Sequence, residues 1–410
     1  MLLARLRGRR LRMIRKFNEA DLAALAAGLA DCGADGWLLF DFQGHNPIAG
    51  RMLALGGLGS RRLFVLLRPD SEPVAVAHKI ELQPLAGFPG RIVPYARWEE
   101  LHAALGELVR GKTVAMEISP RDAVPYLDRV PHGVVDLIHS LGGQVVSSSP
   151  LVTQFVSKWT PEEAASHIKA ADVLARIAKE ALAFAVTQGG QGLRETDLQR
   201  RVTLAMEREG IVPDHPPIVG FGPNAADGHY EPIPGKDRAL AADEIVLIDL
   251  FGRFPGTISA DQTWMGFSGR NPPDEVRRVW AAVRDARDAA LGLVRRAGAE
   301  GVRISGYQVD RAARDVIEKA GFGEFFVHRT GHSIDRDLHG SGPHMDDFET
   351  KDDRVILPGC GFSVEPGVYL TGRFGVRSEV NVYWRERETG NGESRVVVTP
   401  SEIQKELIVP

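Results

Sequence analysis

Apolar residues recur at helical spacing soon after the start of the chain, at Leu22, Leu25, Ala26 and Leu29, and Gly33 is placed to end the helix they predict. A strand is expected at Trp37–Phe40, then a hairpin with arms Leu63–Leu67 and Val74–Ala77 about the turn-forming stretch Arg68–Pro73. A helix around Trp98–Leu108 and a strand at Thr113–Glu117 continue the alternation, which predicts a small α/β layer domain. The pattern breaks near Leu151–Trp159. Thr160, Pro161 and Glu163 then spell a capping box, in which the threonine and the glutamate satisfy each other's orphan backbone donors. The helix it opens keeps Ile168, Ala171, Leu174, Ala175, Ala178 and Leu182 on one face and closes at Gln188–Gly190. Thr196 with Gln199 predicts a second box before a helix running to Glu209, and Ile211–Pro234, rich in proline and glycine, reads as a loop. Long helices are expected at Asp274–Arg296 and Ser305–Ala320.

Between these helices lies the stretch Glu244–Thr263, where the apolar run Ile245–Leu250 carries Asp249 and a second aspartate, Asp261, follows twelve positions later. A carboxylate in such a run is costly to bury without a positive partner. Two strands joined through Gly252–Gly256 bring Asp249 and Asp261 side by side, and a cation between them relieves their repulsion best; two surface carboxylates at strand ends are the alternative. Downstream, His328, His332, His339 and His344 crowd into one short segment, where neutral imidazoles can complete a site begun by carboxylates. Two strand-like segments follow, Gly361–Leu370 with Glu365 and Gly375–Trp384 with Glu379. In the second, alternation puts Arg377, Glu379 and Asn381 on one face and Val376, Val380 and Val382 on the other, so the polar face points away from the core side.

Charge and composition narrow the classes. With 410 residues, 43% hydrophobic and 25% charged, the chain is long enough for two domains of ordinary globular composition. No apolar run approaches the roughly 20 residues of a membrane helix. A net charge of −4 gives no electrostatic case for nucleic acid, and Cys32 and Cys360 are too few for a disulfide framework. The exception is residues 1–16, which hold six arginines and Lys16 without an acid; they read as a basic extension, with Met13 an alternative start. Gly56–Gly59 lacks the lysine of a phosphate loop, and His45 and His78 read as surface or packing residues.

Taken in order, Asp249, Asp261, His332, Glu365 and Glu379 resemble the two Asp, one His and two Glu ligands of the pita-bread dinuclear metallopeptidases, a family that includes prolidases, aminopeptidase P and methionine aminopeptidases. The phrases T-G-H at Thr330, S-V-E-P-G-V-Y at Ser363 and G-V-R-S-E at Gly375 carry the likeness, strongly over residues 160–410, while Phe40–Ala49 resembles the amino-terminal domain of creatinase and prolidases. The resemblance implies an α+β pita-bread domain, a curved antiparallel sheet with flanking helices, over residues 154–410, preceded by a smaller α/β domain at 17–153. It implies hydrolysis of Xaa-Pro bonds by a water held between two divalent cations, Mn²⁺ above Co²⁺ or Zn²⁺, in a cytoplasmic homodimer acting on small peptides.

In that likeness Asp249 holds one ion, Asp261 and Glu379 bridge, and His332 and Glu365 hold the second, Glu365 also taking the proton of the water. His229 and His339 donate to the substrate carbonyl, His328 matches a proline-pocket histidine, and Arg377 reaches a substrate carboxylate or braces the bridging ligand. His344 reads as a surface residue. The sequence departs from the family at several points. The Asp249-to-Asp261 interval is one residue longer than usual, Phe254 and Thr257 stand where tyrosines are common, and Ser333, Asp335 and Gly340 replace familiar neighbours, Asp335 adding a carboxylate near the site. Longer Xaa-Pro peptides, a metal-dependent lyase and a non-catalytic binding module are the competing readings.

Overall fold

In the computed structural model, residues 17–53, 59–386 and 395–410 are described; the basic extension and most of the Gly56–Gly59 stretch fall outside them. The chain divides into two compact units, one ending at Val156 and the other running from Ser157 to Pro410. Among the described residues no helix is long and apolar enough to cross a membrane.

The first unit alternates helix and strand: α1 (Glu19–Cys32), β1 (Gly36–Asp41), α2 (Pro47–Leu53), β2 (Leu63–Arg68), β3 (Ser71–His78), β4 (Arg91–Tyr95), α3 (Trp98–Val109), β5 (Thr113–Met116), α4 (His132–Ser140), β6 (Gln144–Ser147) and α5 (Ser149–Phe155). Gly33 ends α1 at φ 66°, a left-handed conformation that suits glycine because it has no Cβ. The strands form a six-stranded mixed sheet in the order β4-β3-β2-β1-β5-β6, and both its faces are apolar and covered.

The second unit opens with α6 (Pro161–Ala185), whose capping box is formed as expected: the Glu163 amide donates to Thr160 Oγ1 at 3.2 Å and the Thr160 amide to Glu163 at 2.9 Å. The second expected box is not formed at Thr196. Helix α7 (Glu195–Arg208) starts two residues earlier, with Arg194 as cap and Asp197 accepting from its amide, because the Thr196 hydroxyl is drawn off to Asp237 and the Gln199 amide to the Pro217 carbonyl. Nor is Ile211–Pro234 wholly a loop: Ile218–Phe221 forms strand β7 against β8 (Ile245–Gly252), which pairs in turn with β9 (Ala260–Phe267). Helices α8 (Asp274–Glu300) and α9 (Gly306–Lys319) follow, then β10 (Ser333–Ile334), β11 (Gly361–Val364), β12 (Gly367–Leu370), β13 (Phe374–Arg377), β14 (Val380–Trp384) and β15 (Val396–Thr399).

The sheet β10-β11-β14-β15 is antiparallel throughout. It is joined to β9 by a side chain acting as backbone: Asn381 accepts from the Asp261 amide at 2.9 Å and donates to the Asp261 carbonyl at 2.8 Å. Helices α8 and α9 cover one side, packing Val279, Trp280, Val283, Val309 and Ala313 against Leu247, Met265, Phe362 and Val382. Helices α6 and α7 pack Leu174, Leu198 and Val202 against Val246, Ile248, Leu250 and Trp264. This curved antiparallel sheet with flanking helices is the pita-bread fold expected from the sequence.

Candidate metal centre

Alternation along the strands places the acids. In β8 the even positions Val246, Ile248 and Leu250 feed the α6–α7 core, while Ile245 and Leu247 face α8 and α9, and Asp249 continues that second face. In β9 Met265 and Phe267 do the same, and Thr263 and Asp261 extend their row. The antiparallel register sets Asp249 opposite Thr263 and Phe251 opposite Asp261, so the two aspartates are diagonal neighbours on one face.

The other acids sit where strands stop. The expected strands Gly361–Leu370 and Gly375–Trp384 are each broken in two, between β11 and β12 at Glu365–Pro366 and between β13 and β14 at Ser378–Glu379. Pro366 has no amide to donate to a ladder, which accounts for the first break. Val376, Val380 and Val382 lie in the core as expected, but the face bearing Arg377, Glu379 and Asn381 is as deeply buried as theirs.

The side chains of Asp249, Asp261, His332, Glu365 and Glu379 converge from these elements. One ligand atom each of Asp261, His332 and Glu379 lie within 4.8 Å of one another. His332 Nε2 is 3.3 Å from Asp261 Oδ2 and 3.5 Å from Glu365 Oε1. Its Nδ1 lies 3.1 Å from the Ser333 carbonyl, which takes the ring proton there and leaves a lone pair on Nε2 facing two carboxylates. Burial lowers the pKa of this imidazole, which keeps it neutral. Lone pair against carboxylate at such distances asks for a cation between them.

The charges make the same demand. Burial, and then repulsion among the acids, raises Asp249 to about 7 and Asp261 to about 8, and pushes Glu379 far above the usual carboxylate range; Arg377 offsets only part of this. Glu365 goes the other way, because His332, His328 and Arg377 outweigh the upward push of its burial. Two buried carboxylate oxygens at this centre, Asp249 Oδ1 and Glu379 Oε1, have no hydrogen-bond partner among the described residues. The remaining oxygens of those groups are held, Asp249 Oδ2 by Arg377 Nη2 at 2.6 Å and Glu379 Oε2 by the Thr263 hydroxyl at 2.9 Å. Orphaned acceptors this deep are rare in folded proteins. The donor set, carboxylates with one imidazole, therefore fits divalent cations of the hard or borderline kind.

Arg377 spends four of its five N–H donors within the protein. Its guanidinium also donates to Thr263 Oγ1 at 2.7 Å, the Gly228 carbonyl at 3.1 Å and Tyr369 Oη at 3.4 Å. It braces Asp249 directly and Glu379 only through Thr263. His328 is similarly engaged, with Nδ1 at 2.7 Å from the Arg329 carbonyl and Nε2 at 2.8 Å from Tyr369 Oη. His339 packs its ring edgewise on His332 at 4.3 Å, and burial with that neighbour lowers its pKa to about 3. His229 lies exposed, beside the Gly228 carbonyl that Arg377 holds.

One expectation needs correction. His344 is not a surface residue: it is 1% exposed, with Nδ1 accepting from the Ser333 amide and its own amide held by Asp352. Asp335 is drawn into its own turn, accepting from the Asp337 and Ser341 amides. Phe254, where a phenol is missing, packs beside α6 with Lys169 over its ring. Sequence reading passed over Thr263 and Ser363, which bond to the converging groups, Tyr369, which bonds to His328 and Arg377 beside them, and the Asp310–Arg314 pair. That pair holds the His328 segment, Arg314 donating to the Phe326 and His328 carbonyls and Asp310 accepting from the Thr330 amide. A signal was there: Asp310 and Arg314 share the apolar stripe of α9 with Val309, Ala313 and Ile317, a place charged residues avoid unless paired.

With this geometry in view, comparison with known proteins is direct. The family model of peptidase M24, metallopeptidase family M24, matches residues 166–386, and the chain belongs to that family. It is a metallopeptidase. Among curated relatives, the probable dipeptidase PepE of Mycobacterium tuberculosis is 28% identical over 366 residues, 87% of this chain and 89% of that protein. The Xaa-Pro dipeptidase of Lactobacillus helveticus is 33% identical over 162 residues, 40% of each chain. Among solved structures, dipeptidase PepE from Mycobacterium ulcerans superposes with a TM-score of 0.68 at 25% identity, over 96% of this chain and 99% of that one. The Xaa-Pro dipeptidase from Bacillus anthracis gives 0.63 at 21% identity over 96% and 100%, a likeness of fold.

Proposed function

We propose that this metallopeptidase cleaves the bond before proline in small Xaa-Pro peptides, with Asp249, Asp261, His332, Glu365 and Glu379 holding two divalent cations. The observation that carries the reading is the pair of orphaned oxygens, Asp249 Oδ1 and Glu379 Oε1, inside a buried set of acids. The bound ions would supply Lewis acidity, lowering the pKa of a water and polarising the scissile carbonyl.

The chain's own residues do the rest. Glu365, the acid held below its ordinary range, is ionised at neutral pH and takes the proton of the attacking water. His339, neutral, and His229 at the rim donate to the carbonyl oxygen as charge develops on it. The His328 ring offers the proline a packed wall, since both its nitrogens are spent on the protein. Mn²⁺ suits the oxygen-rich donor set. The names of the relatives, a probable dipeptidase and an Xaa-Pro dipeptidase, favour this substrate class, and we extend the reading to a cytoplasmic homodimer.

One observation favours a second reading, cleavage of longer Xaa-Pro peptides in the manner of aminopeptidase P. Four of the five donors of Arg377 go to protein acceptors, which leaves that residue poorly disposed to grip the terminal carboxylate of a dipeptide. Purified protein supplied with Mn²⁺ and either Ala-Pro or Ala-Pro-Ala separates the two. Preferred cleavage of Ala-Pro supports the dipeptidase, preferred cleavage of the tripeptide supports the second reading, and no cleavage of either removes the proline assignment.

A further inference from the structure

His229 stands on a flap, residues 222–238, whose first turn packs Ala225 into the core and whose tip from Ile233 to Lys236 is open to solvent. Beyond that first turn the proline- and glycine-rich chain has little packing of its own to fix a side chain. What fixes it is a buried carboxylate on another element. Glu195, the first residue of α7, is fully buried and collects donors from three points of the segment and from Phe221 at the end of β7 just before it. Its Oε1 accepts from the Phe221 amide at 2.8 Å and Asn224 Nδ2 at 3.0 Å, and its Oε2 from the Tyr230 hydroxyl at 2.7 Å and the Arg238 amide at 3.0 Å. Burial and the neighbouring Glu195 raise the Tyr230 phenol, so it stays a donor.

A second staple lies alongside. Asp237, on the flap, accepts from the Thr196 amide and hydroxyl and from Arg194, so the flap supplies a carboxylate to the N-terminus of α7 while α7 supplies one to the flap. From the opposite side Arg377 holds the Gly228 carbonyl at 3.1 Å. His229 is thus flanked by Gly228, fixed from the metal centre, and Tyr230, fixed from α7.

We infer that Glu195 is a positioning residue for His229: it ties the flap to α7 through Tyr230 and Asn224 and thereby sets the imidazole at the mouth of the centre. The inference rests on the role proposed above for His229. Glu195 touches no substrate and no ion. Replacing it by glutamine turns an NH₂ group toward donors that need an acceptor, leaving the flap's outer anchor with opposed donors.

The test uses the full-length, Mn²⁺-loaded protein and two variants, Glu195→Gln and the milder Tyr230→Phe, each alone and combined with His229→Ala. Amide hydrogen exchange is expected to quicken roughly tenfold or more in residues 222–238 of Glu195→Gln and to stay unchanged in residues 326–334, since only the flap loses its anchor. With Ala-Pro, Glu195→Gln should lower kcat/KM roughly 100-fold, the size of losing one oxyanion donor, chiefly in kcat. The double variant should then be no worse than His229→Ala alone, because the two changes remove one interaction. Tyr230→Phe should show the same non-additivity at smaller amplitude, and it serves if Glu195→Gln does not fold. Unchanged exchange in the flap, or losses that multiply in the double variants, overturns the inference. Absence of hydrolysis by the wild type counts against the proposed function instead, and the exchange measurement still decides whether Glu195 holds the flap.

Discussion

Thr263 offers a sharp perturbation because its hydroxyl joins two charged groups of the centre and does nothing else visible. It donates to Glu379 Oε2 at 2.9 Å and accepts from Arg377 Nε at 2.7 Å, and the residue is 2% exposed. Thr263→Val keeps the β-branched shape suited to β9 while deleting both bonds. A hydrogen bond to a charged group contributes about 2 kcal/mol, so weakening the orientation of Glu379 should reduce Mn²⁺ affinity about 30-fold. The Arg377 Nε–H, left without an acceptor, should cost the metal-free protein a further ~2 kcal/mol, a fall of about 5 °C in Tm for a unit of this size. Isothermal titration of metal-stripped protein with Mn²⁺ reads the first quantity and calorimetric unfolding the second. Thr257→Val is the control, since that hydroxyl bonds only the Phe254 carbonyl of its own turn. If Thr263→Val binds Mn²⁺ within about twofold of wild type, Thr263 does not support the site in the way argued.

Two other expectations follow from buried groups outside the converging set. His167 is fully buried between the Ser259 carbonyl and the Thr399 hydroxyl, and burial lowers its pKa from 6.5 to about 4. The unfolded chain therefore takes up the proton first as pH falls, so this residue's contribution is present above about 6.5 and is lost on going down toward 4; between pH 7 and 5 that loss is about 2 kcal/mol. His167→Gln should lack this component in urea unfolding of metal-free protein, and an identical pH dependence for variant and wild type would refute it. Asp310→Asn should cost about 3 kcal/mol by leaving Arg314 as a buried charge with a weakened partner, measured by urea unfolding; a cost under about 1 kcal/mol would show that the pair does not anchor the His328 segment.

Much of the architecture was legible because local signals agreed with one another. The box at Thr160, the stop at Gly33 and the alternation through Ile245–Phe267 each rest on backbone chemistry that needs no tertiary knowledge. The failures come from long-range bonds. Thr196 and Gln199 have the right spacing for a cap, yet Asp237 and Pro217, far along the chain, compete for their side chains. The breaks at Glu365 and Ser378 were hidden because strand-forming residues such as Val364, Val368, Val376 and Val380 lie to both sides of them, although Pro366 marked the first. His344 looked exposed because its neighbours in sequence are polar, whereas Ser333 and Asp352 bury it. At the centre itself, acid and histidine types stood out, but the supporting Thr263 and Tyr369 did not, since a threonine or tyrosine in a strand is what the fold alone would choose.

Asp249, Asp261, His332, Glu365 and Glu379 are proposed to hold a pair of ions. Crystals grown with Mn²⁺ and measured at its absorption edge test this directly through the anomalous difference map. Two peaks are expected, each within about 2.0–2.4 Å of oxygens or the Nε2 of those side chains, the usual reach of such ligands. Peaks elsewhere, or none at saturating Mn²⁺, would contradict it.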